Sequence, residues 1–192
     1  MTSLNTARLI LRPWREADRA AFARLNGDPA VMEFMPRRLT RDESDALAAR
    51  VQAEIEQRGW GLWAIEVRGG AEFIGFVGLS VPTFDTHFTP CVEVGWRLAK
   101  EHWGYGYASE AAERSLRFAF ETLSLLQIVS FTVPSNIRSR RVMERIGMFH
   151  DKAGDFEHPR VAPGSPLRAH VLYRLRREVW LGRHAGPTSH FL

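Results

Sequence analysis

The stretch from residue 92 to residue 122 constrains this chain most. Val92-Glu93-Val94-Gly95-Trp96-Arg97-Leu98 reads as a strand and Gly104-Tyr105-Gly106 as a tight turn. Residues 106–122 read as an amphipathic helix, with Ala108, Ala111, Ala112, Leu116, Ala119 and Phe120 on one side. Two glycines one residue apart let the backbone turn sharply and approach a ligand closely. The start of the helix leaves free N–H groups at the positive end of its dipole, which suits an anion. Ser109 adds a hydroxyl donor. The segment therefore suits a phosphate or diphosphate.

Two nucleotide-binding signatures compete for this turn, and both fit poorly. Gly104-x-Gly106-x-x-Ser109 has Ser at the third position of a dinucleotide fingerprint. The strand after the helix runs into Pro134-Ser135-Asn136 and lacks the acidic residue that would hold a ribose. No Lys-Ser or Lys-Thr pair follows the glycines, which disfavours an NTPase loop.

The remaining elements alternate in type. Residues 8–12 read as a strand ended by Pro13, and 16–25 have helical spacing, broken by Asn26-Gly27-Asp28-Pro29. Thr40 and Glu43 form a capping box, so a helix should run to about residue 57 and stop at Gly59. Residues 62–67 and 72–79 read as a hairpin turned at Gly69-Gly70, and 80–90 as a loop. Strand 128–133, helix 136–146 closed by Gly147, and strand 167–176 follow. This order predicts one α/β (α+β) domain. Its sheet is mixed and largely antiparallel, with flanking helices and one central βαβ unit. Residues 1–183 are assigned to the domain and 184–192 to a flexible tail.

Composition narrows the function. At 192 residues the chain buries a core without disulfides or metal. No apolar run reaches the roughly 20 residues of a membrane span, and the first residues lack a signal peptide, so a cytoplasmic location is expected. Cys91 stands alone and is read as a half-buried strand residue. The seven histidines show no tight pair at ligand spacing, so no metal is expected. The net charge, 26 − 22 = +4, is carried almost wholly by arginine; Lys100 and Lys152 are the only lysines. Arginine suits phosphate and carboxylate recognition. The excess is too small and scattered for nucleic-acid binding, and no membrane partner is indicated.

Three separated blocks carry a resemblance. They are Thr6-Ala7-Arg8-Leu9-Ile10-Leu11-Arg12-Pro13-Trp14; Glu93 to Leu98 with Trp103-Gly104-Tyr105-Gly106-Tyr107-Ala108-Ser109-Glu110-Ala111; and Asn136-Ile137-Arg138-Ser139 with Ile146-Gly147-Met148. In this order and spacing, over roughly residues 4–178, the chain resembles the GCN5-related N-acetyltransferases (GNAT) of the RimJ/RimL ribosomal-protein branch. The resemblance implies acetyl-CoA as co-substrate. Backbone N–H groups of Trp103, Gly104, Tyr105, Gly106, Tyr107 and Ala108 would hold the diphosphate, with Ser109 assisting. The pantetheine arm would pair with the backbone of Trp96 and Leu98 like an added strand, and Asn136 would bond its amide region. Lys100, Arg140 or Arg141 would meet the 3′-phosphate, and Arg141 is taken as the cofactor-binding residue. Glu101 stands where the family usually has Gln or Arg.

Acetyl transfer to an amine needs a neutral amine, a donor for the thioester oxygen and a proton for the leaving thiolate. Glu93 is the candidate base. Where many family members have a Tyr acid this chain has Met143, so Ser139 is the candidate acid; Tyr105, Tyr107 and Tyr173 are weaker alternatives. An α-amine of pKa about 7.7–8.0 is partly neutral near neutral pH, whereas neutralising a Lys near 10.4 costs roughly 4 kcal/mol. The expected acceptor is therefore a protein or peptide N-terminal α-amine, attacked directly in a ternary complex. The alternatives are a small-molecule (aminoglycoside or polyamine) acetyltransferase and a catalytically inactive CoA-binding module. Residues 31–36, with Phe34, should wall the acceptor, and Trp63 should face the acetyl group. Asp155, Glu157 and His158 should line an acidic loop that attracts cations or supplies a base. The aromatic content permits a homodimer without requiring one.

Overall fold

The computed structural model describes residues 2–184. The strands are β1 (Leu4–Asn5), β2 (Leu9–Arg12), β3 (Leu62–Val67), β4 (Gly75–Ser80), β5 (Glu93–Leu98), β6 (Gln127–Thr132), β7 (Phe149–His150), β8 (Phe156–Glu157) and β9 (Ala169–Arg176). The helices are α1 (Asp18–Gly27), α2 (Arg41–Arg58), α3 (Tyr107–Arg117), α4 (Ile137–Arg145) and α5 (Arg177–His184). Strand order is β1-β2-β3-β4-β5-β6-β9-β7, with β8 on β9. Every pairing is antiparallel except β5 with β6, the expected βαβ unit around α3.

The local signals act as their chemistry requires. The Thr40 hydroxyl accepts from the Glu43 N–H while the Glu43 carboxylate accepts from the Thr40 N–H, so α2 starts there. Gly59 ends it at φ 79°, the left-handed position that glycine adopts without strain. Asn136 caps α4. Inside, Arg12 forms a two-pronged ion pair with Asp18 and also reaches Glu66, tying β2 to α1 and β3. Phe22 packs edge to face against Trp14, Phe73 and Phe76 between the sheet and α1.

Several expectations need correction. The long central helix is α-helical only to Arg117; Phe118–Thr122 widens into a π turn, with the Leu123 N–H donating to the Phe118 carbonyl. The wider turn places Phe118 on Trp63 and Phe120 on Trp180. The return strand of the hairpin begins at Gly75 rather than residue 72. Cys91 is half-buried but lies just ahead of β5. The last helix, α5, went unread because Trp180 alone carries its apolar face; it stacks on His184 and buries against Phe120. Residue 184 thus closes a helix, and residues 185–192 of the expected tail lie outside the described residues.

One feature of the sheet positions the site. β4 and β5 pair over six residues, and so do β6 and β9. β5 and β6 meet only at Glu93 and Val129, where the Val129 N–H donates to the Val92 carbonyl at 3.0 Å. Beyond that point the two strands separate and open a wedge in the middle of the sheet.

Candidate active site

The wedge is the mouth of a cleft of about 510 Å³, in the range of small-ligand sites. Its walls are β5, the 104–109 turn, β6, α4 and the α1–α2 connection. Phe34, Glu93, Trp96, Leu98, Trp103, Gly104, Gly106, Tyr107, Ala108, Ser109, Asn136, Ser139, Arg141 and Met143 all line it, so residues far apart in sequence converge as expected.

The anion end is built by the glycine turn. Gly104 and Gly106 sit at φ 84° and 82°, a backbone region that strains any residue with a Cβ. The first bond of α3 runs from the Glu110 N–H to the Gly106 carbonyl at 3.0 Å, so the N–H groups of Tyr107, Ala108 and Ser109 precede the ladder. The Ser109 hydroxyl is buried with no hydrogen-bond partner. A buried orphan donor beside open N–H groups fits a phosphate oxygen, so these residues suit the diphosphate of acetyl-CoA. Arg8 braces the turn from behind. It pairs with Glu110, donates to the Tyr105 carbonyl at 3.0 Å and lies over the Tyr107 ring. The Trp103 N–H differs from expectation: it is spent on the Lys100 carbonyl. Tyr105 is 60% exposed, stacks on Tyr107 and lies outside the cleft lining, so it offers backbone only.

The open edge of β5 follows from strand parity. The Val92 carbonyl bonds across to β6 and the Leu98 carbonyl accepts from the Trp103 indole at 2.8 Å, so alternate residues 92, 94, 96 and 98 turn their backbone groups toward the wedge. Trp96 and Leu98 therefore do present backbone to the cleft. The Leu98 carbonyl, however, already has a donor.

Asn136 also departs from its expected role. Its carbonyl oxygen accepts from the Ser139 N–H, and its amide donates to the Thr132 hydroxyl and the Ser139 hydroxyl at 3.0 and 3.1 Å. Both amide protons are committed, so Asn136 positions Ser139. The Trp96 indole also donates to the Ser139 oxygen, at 3.3 Å. With two donors on its oxygen, the Ser139 hydroxyl is left to donate its proton into the cleft.

On the opposite wall Glu93 accepts from the Ser80 hydroxyl at 3.2 Å. Burial pushes its carboxyl up to about 7, partly opposed by that hydrogen bond. A carboxylate poised near neutrality suits a general base. Burial likewise pushes the Cys91 thiol up to about 11, so it is no nucleophile.

Other candidates sit elsewhere. Trp63 is fully buried, with its ring edge-on to Phe118 and its indole N–H on the Thr2 carbonyl; it does not line the cleft. The reason is register, since alternation along β3 sends residue 63 to the core face under α3. Tyr173 donates to Glu144, and Arg140 is spent on Tyr173 and the Pro134 carbonyl. Lys100 lies outside the cleft lining, which leaves exposed Arg141 on the cleft rim. Asp155 binds His150 and the Leu172 N–H, Glu157 pairs with Arg168, and His158 packs among Phe84, Phe131 and His170. No acidic acceptor loop forms. Arg97 and Arg138 were missed. Arg138 lies over Trp103 and Phe34 and pairs with Glu33 across the cleft mouth.

Comparison with known proteins agrees with this geometry. Residues 8–149 match the family profile described as Acetyltransferase (GNAT) domain. The chain is 33% identical over 186 residues to an FsC-acetyl coenzyme A-N(2)-transacetylase of Aspergillus fumigatus, covering 93% of this chain and 78% of that protein. It shares 31% identity and a TM-score of 0.74 with an acetyltransferase structure from Agrobacterium tumefaciens, over 92% of this chain and 95% of that one. A GNAT-family acetyltransferase structure from Bacillus anthracis, 24% identical, gives a TM-score of 0.75 over 92% of this chain and 99% of that chain and shares the fold. With its profile match over most of the chain and a wedge built as such a site requires, the protein belongs to the GNAT N-acetyltransferase family, whose co-substrate is acetyl-CoA.

Proposed function

We propose that this enzyme transfers the acetyl group of acetyl-CoA to an α-amine by direct attack in a ternary complex, in the manner of the RimJ/RimL branch. The observation that carries the reading is that Glu93 and Ser139 line the same cleft. One is a carboxylate near neutrality and the other a hydroxyl whose oxygen is already doubly bonded by donors. Acetyl-CoA supplies an activated thioester. The 104–109 turn, with Ser109, holds its diphosphate, Arg141 meets its 3′-phosphate, and the β5 edge at Trp96 and Leu98 aligns the pantetheine arm. Glu93 accepts a proton from the amine nitrogen as that nitrogen bonds to the thioester carbon. Ser139 gives its proton to the sulfur as the carbon–sulfur bond breaks, and solvent restores it.

Phe34 and its neighbours wall the acceptor side. The α-amine preference rests on magnitude, because one carboxylate near pKa 7 can finish deprotonating an amine near 8 but not one above 10. A peptide or protein N-terminus is the first reading of the acceptor. A small α-amino compound is the second, favoured by the relative whose name places the acetyl group on an N(2) nitrogen. Thiol release with peptides bearing free N-termini, lysine-only peptides, polyamines and aminoglycosides tests this. Turnover confined to the lysine-only or polycationic members refutes the α-amine reading.

A further inference from the structure

The acceptor side of the cleft holds a cation without a carboxylate. Alternation along β5 puts Glu93, Gly95 and Arg97 on one face and Val94, Trp96 and Leu98 on the other. Arg97 donates to the Asn26 side-chain oxygen at 2.6 Å and to the Met35 sulfur at 3.3 Å, and lies over the Phe76 ring. Asn26 and Met35 belong to α1 and the α1–α2 connection, and Phe76 to the neighbouring strand β4. The guanidinium is therefore on the acceptor wall, away from the Gly104–Ser109 turn that suits the diphosphate. No carboxylate among the described residues pairs with it, and burial alone lowers it to about 10. The contrast with Arg12 is direct, since that buried guanidinium has Asp18 and Glu66. An enclosed, unpaired charge is costly unless a ligand completes it.

The rest of the lining gives the ligand its sign. Glu93 is the only carboxylate among the described residues that line the cleft. With Arg141 on the co-substrate side and Arg138 paired with Glu33, Arg97 is the cation left for the acceptor on the Glu93 face of β5. Asn26 fixes the guanidinium further: it is fully buried, its amide donates to Ser44, and its oxygen holds Arg97. Glu93 and Arg97 are four residues apart on one face of one strand, roughly 13 Å between Cα atoms, and both line the same cleft.

We propose that the acceptor carries a carboxylate as well as its amine, and that Arg97 binds this carboxylate while the amine meets Glu93. This rests on the transferase reading above. It excludes polyamines and aminoglycosides as natural acceptors. The carboxylate has two sources, the main-chain terminus of a small amino acid or dipeptide and an acidic side chain near a peptide N-terminus.

The test uses matched acceptors of similar amine basicity, compared at a pH where both amines are neutral: a dipeptide against its C-terminal amide, and amidated tripeptides beginning Ser-Glu against Ser-Gln. Acetyl-CoA binding is first measured by calorimetry, then thiol release for the intact protein, Arg97→Gln and Arg97→Lys. The acidic member of one pair should have a kcat/KM about thirtyfold higher, as expected for an enclosed charge pair. Which pair shows this identifies the source. Arg97→Gln should bring the ratio near one while leaving acetyl-CoA binding intact, and Arg97→Lys should restore part of it. Equal use of acid and amide by the intact protein overturns the proposal, a result that stands even where Arg97→Gln fails to fold. Equal slowing of both members in Arg97→Gln overturns it too and leaves Arg97 a brace for the α1–α2 connection. Acetyl-CoA binding with no transfer to either acidic acceptor also overturns it. Absence of acetyl-CoA binding refutes the transferase reading and this proposal together.

Discussion

Replacing Glu93 with Gln separates what this carboxylate does for catalysis from what it costs the fold. Its pKa is raised from 4.5 to about 7 by burial. A shift of that size means that the ionised form is disfavoured in the folded state by up to about 3 kcal/mol, less whatever solvent in the cleft screens. The folded protein holds the proton more tightly than the unfolded chain, so stability falls as pH rises from about 4.5 to about 7 and is level above that. Glu93→Gln removes the ionisation. The variant should match the parent near pH 4.5 and exceed it at pH 8 by up to about 3 kcal/mol, roughly 6–12 °C in melting temperature for a chain of this size.

Activity should move the other way. Glu93 is about one-tenth ionised at pH 6 and nine-tenths at pH 8, so kcat/KM of the parent should rise with an apparent pKa near 7. The amine titrates nearby and would mask this. An acceptor with a much less basic amine, neutral throughout the range, isolates the enzyme's own limb. In Glu93→Gln that limb should vanish and the rate fall by roughly 10²–10⁴. A variant that keeps the limb, or one that gains no stability at pH 8, refutes the assignment of Glu93 as a buried base.

Other substitutions probe the rest of the site. Ser139→Ala should lower kcat by about 10²-fold with acetyl-CoA affinity unchanged by calorimetry; Ser139→Thr should recover part of it. Gly106→Ala puts a Cβ at φ 82°, costing about 1–2 kcal/mol, so acetyl-CoA binding should weaken about tenfold. Trp63→Ala should destabilise the fold by roughly 3–5 kcal/mol in denaturant titrations, while Trp63→Phe should leave the acceptor KM unchanged. Burial, with His170 and Arg160 nearby, lowers His158 to about 4, so its neutral form supports the fold above pH 6.5 and that support is lost as pH falls toward 4. His158→Gln should flatten the loss of melting temperature between pH 6.5 and pH 4.

The segments that could be read were those where one local chemistry decides the outcome. The Thr40–Glu43 box, Gly59, Gly147 and the Gly104–Gly106 turn each depend on a few neighbouring residues, and each sits where its spacing places it. Trp63 depended on which face of β3 met the cleft, and period-two alternation does not say which face that is. Asn136 depended on partners: Thr132 and Ser139 absorb its amide, and no motif reveals that an amide is already spent. The acidic loop depended on pairing across β9 and the neighbouring loops, which only the folded chain brings together. Arg97 was legible in part, since it shares the alternation of Glu93. A charged residue on the same face as a candidate base is a signal that the strand pattern carries.

The wedge between β5 and β6 explains why these residues serve as a site at all. A continuous sheet would spend the outward backbone groups of Trp96 on β6 and cover Glu93 and Ser139 with packed neighbours. Because each strand is held on its outer side, by β4 and by β9, the gap opens without unravelling the sheet. It leaves the backbone of Trp96 facing the gap, an edge to which an extended amide-bearing chain can add. The same opening exposes Glu93 enough to receive a proton yet encloses it enough to hold its pKa near 7. A substitution that filled the opening, such as a bulky residue at Gly95, which lines the cleft beside the Glu93 carboxylate, should therefore damage co-substrate binding and base catalysis together. Loss of one without the other would show that the two functions do not share this opening.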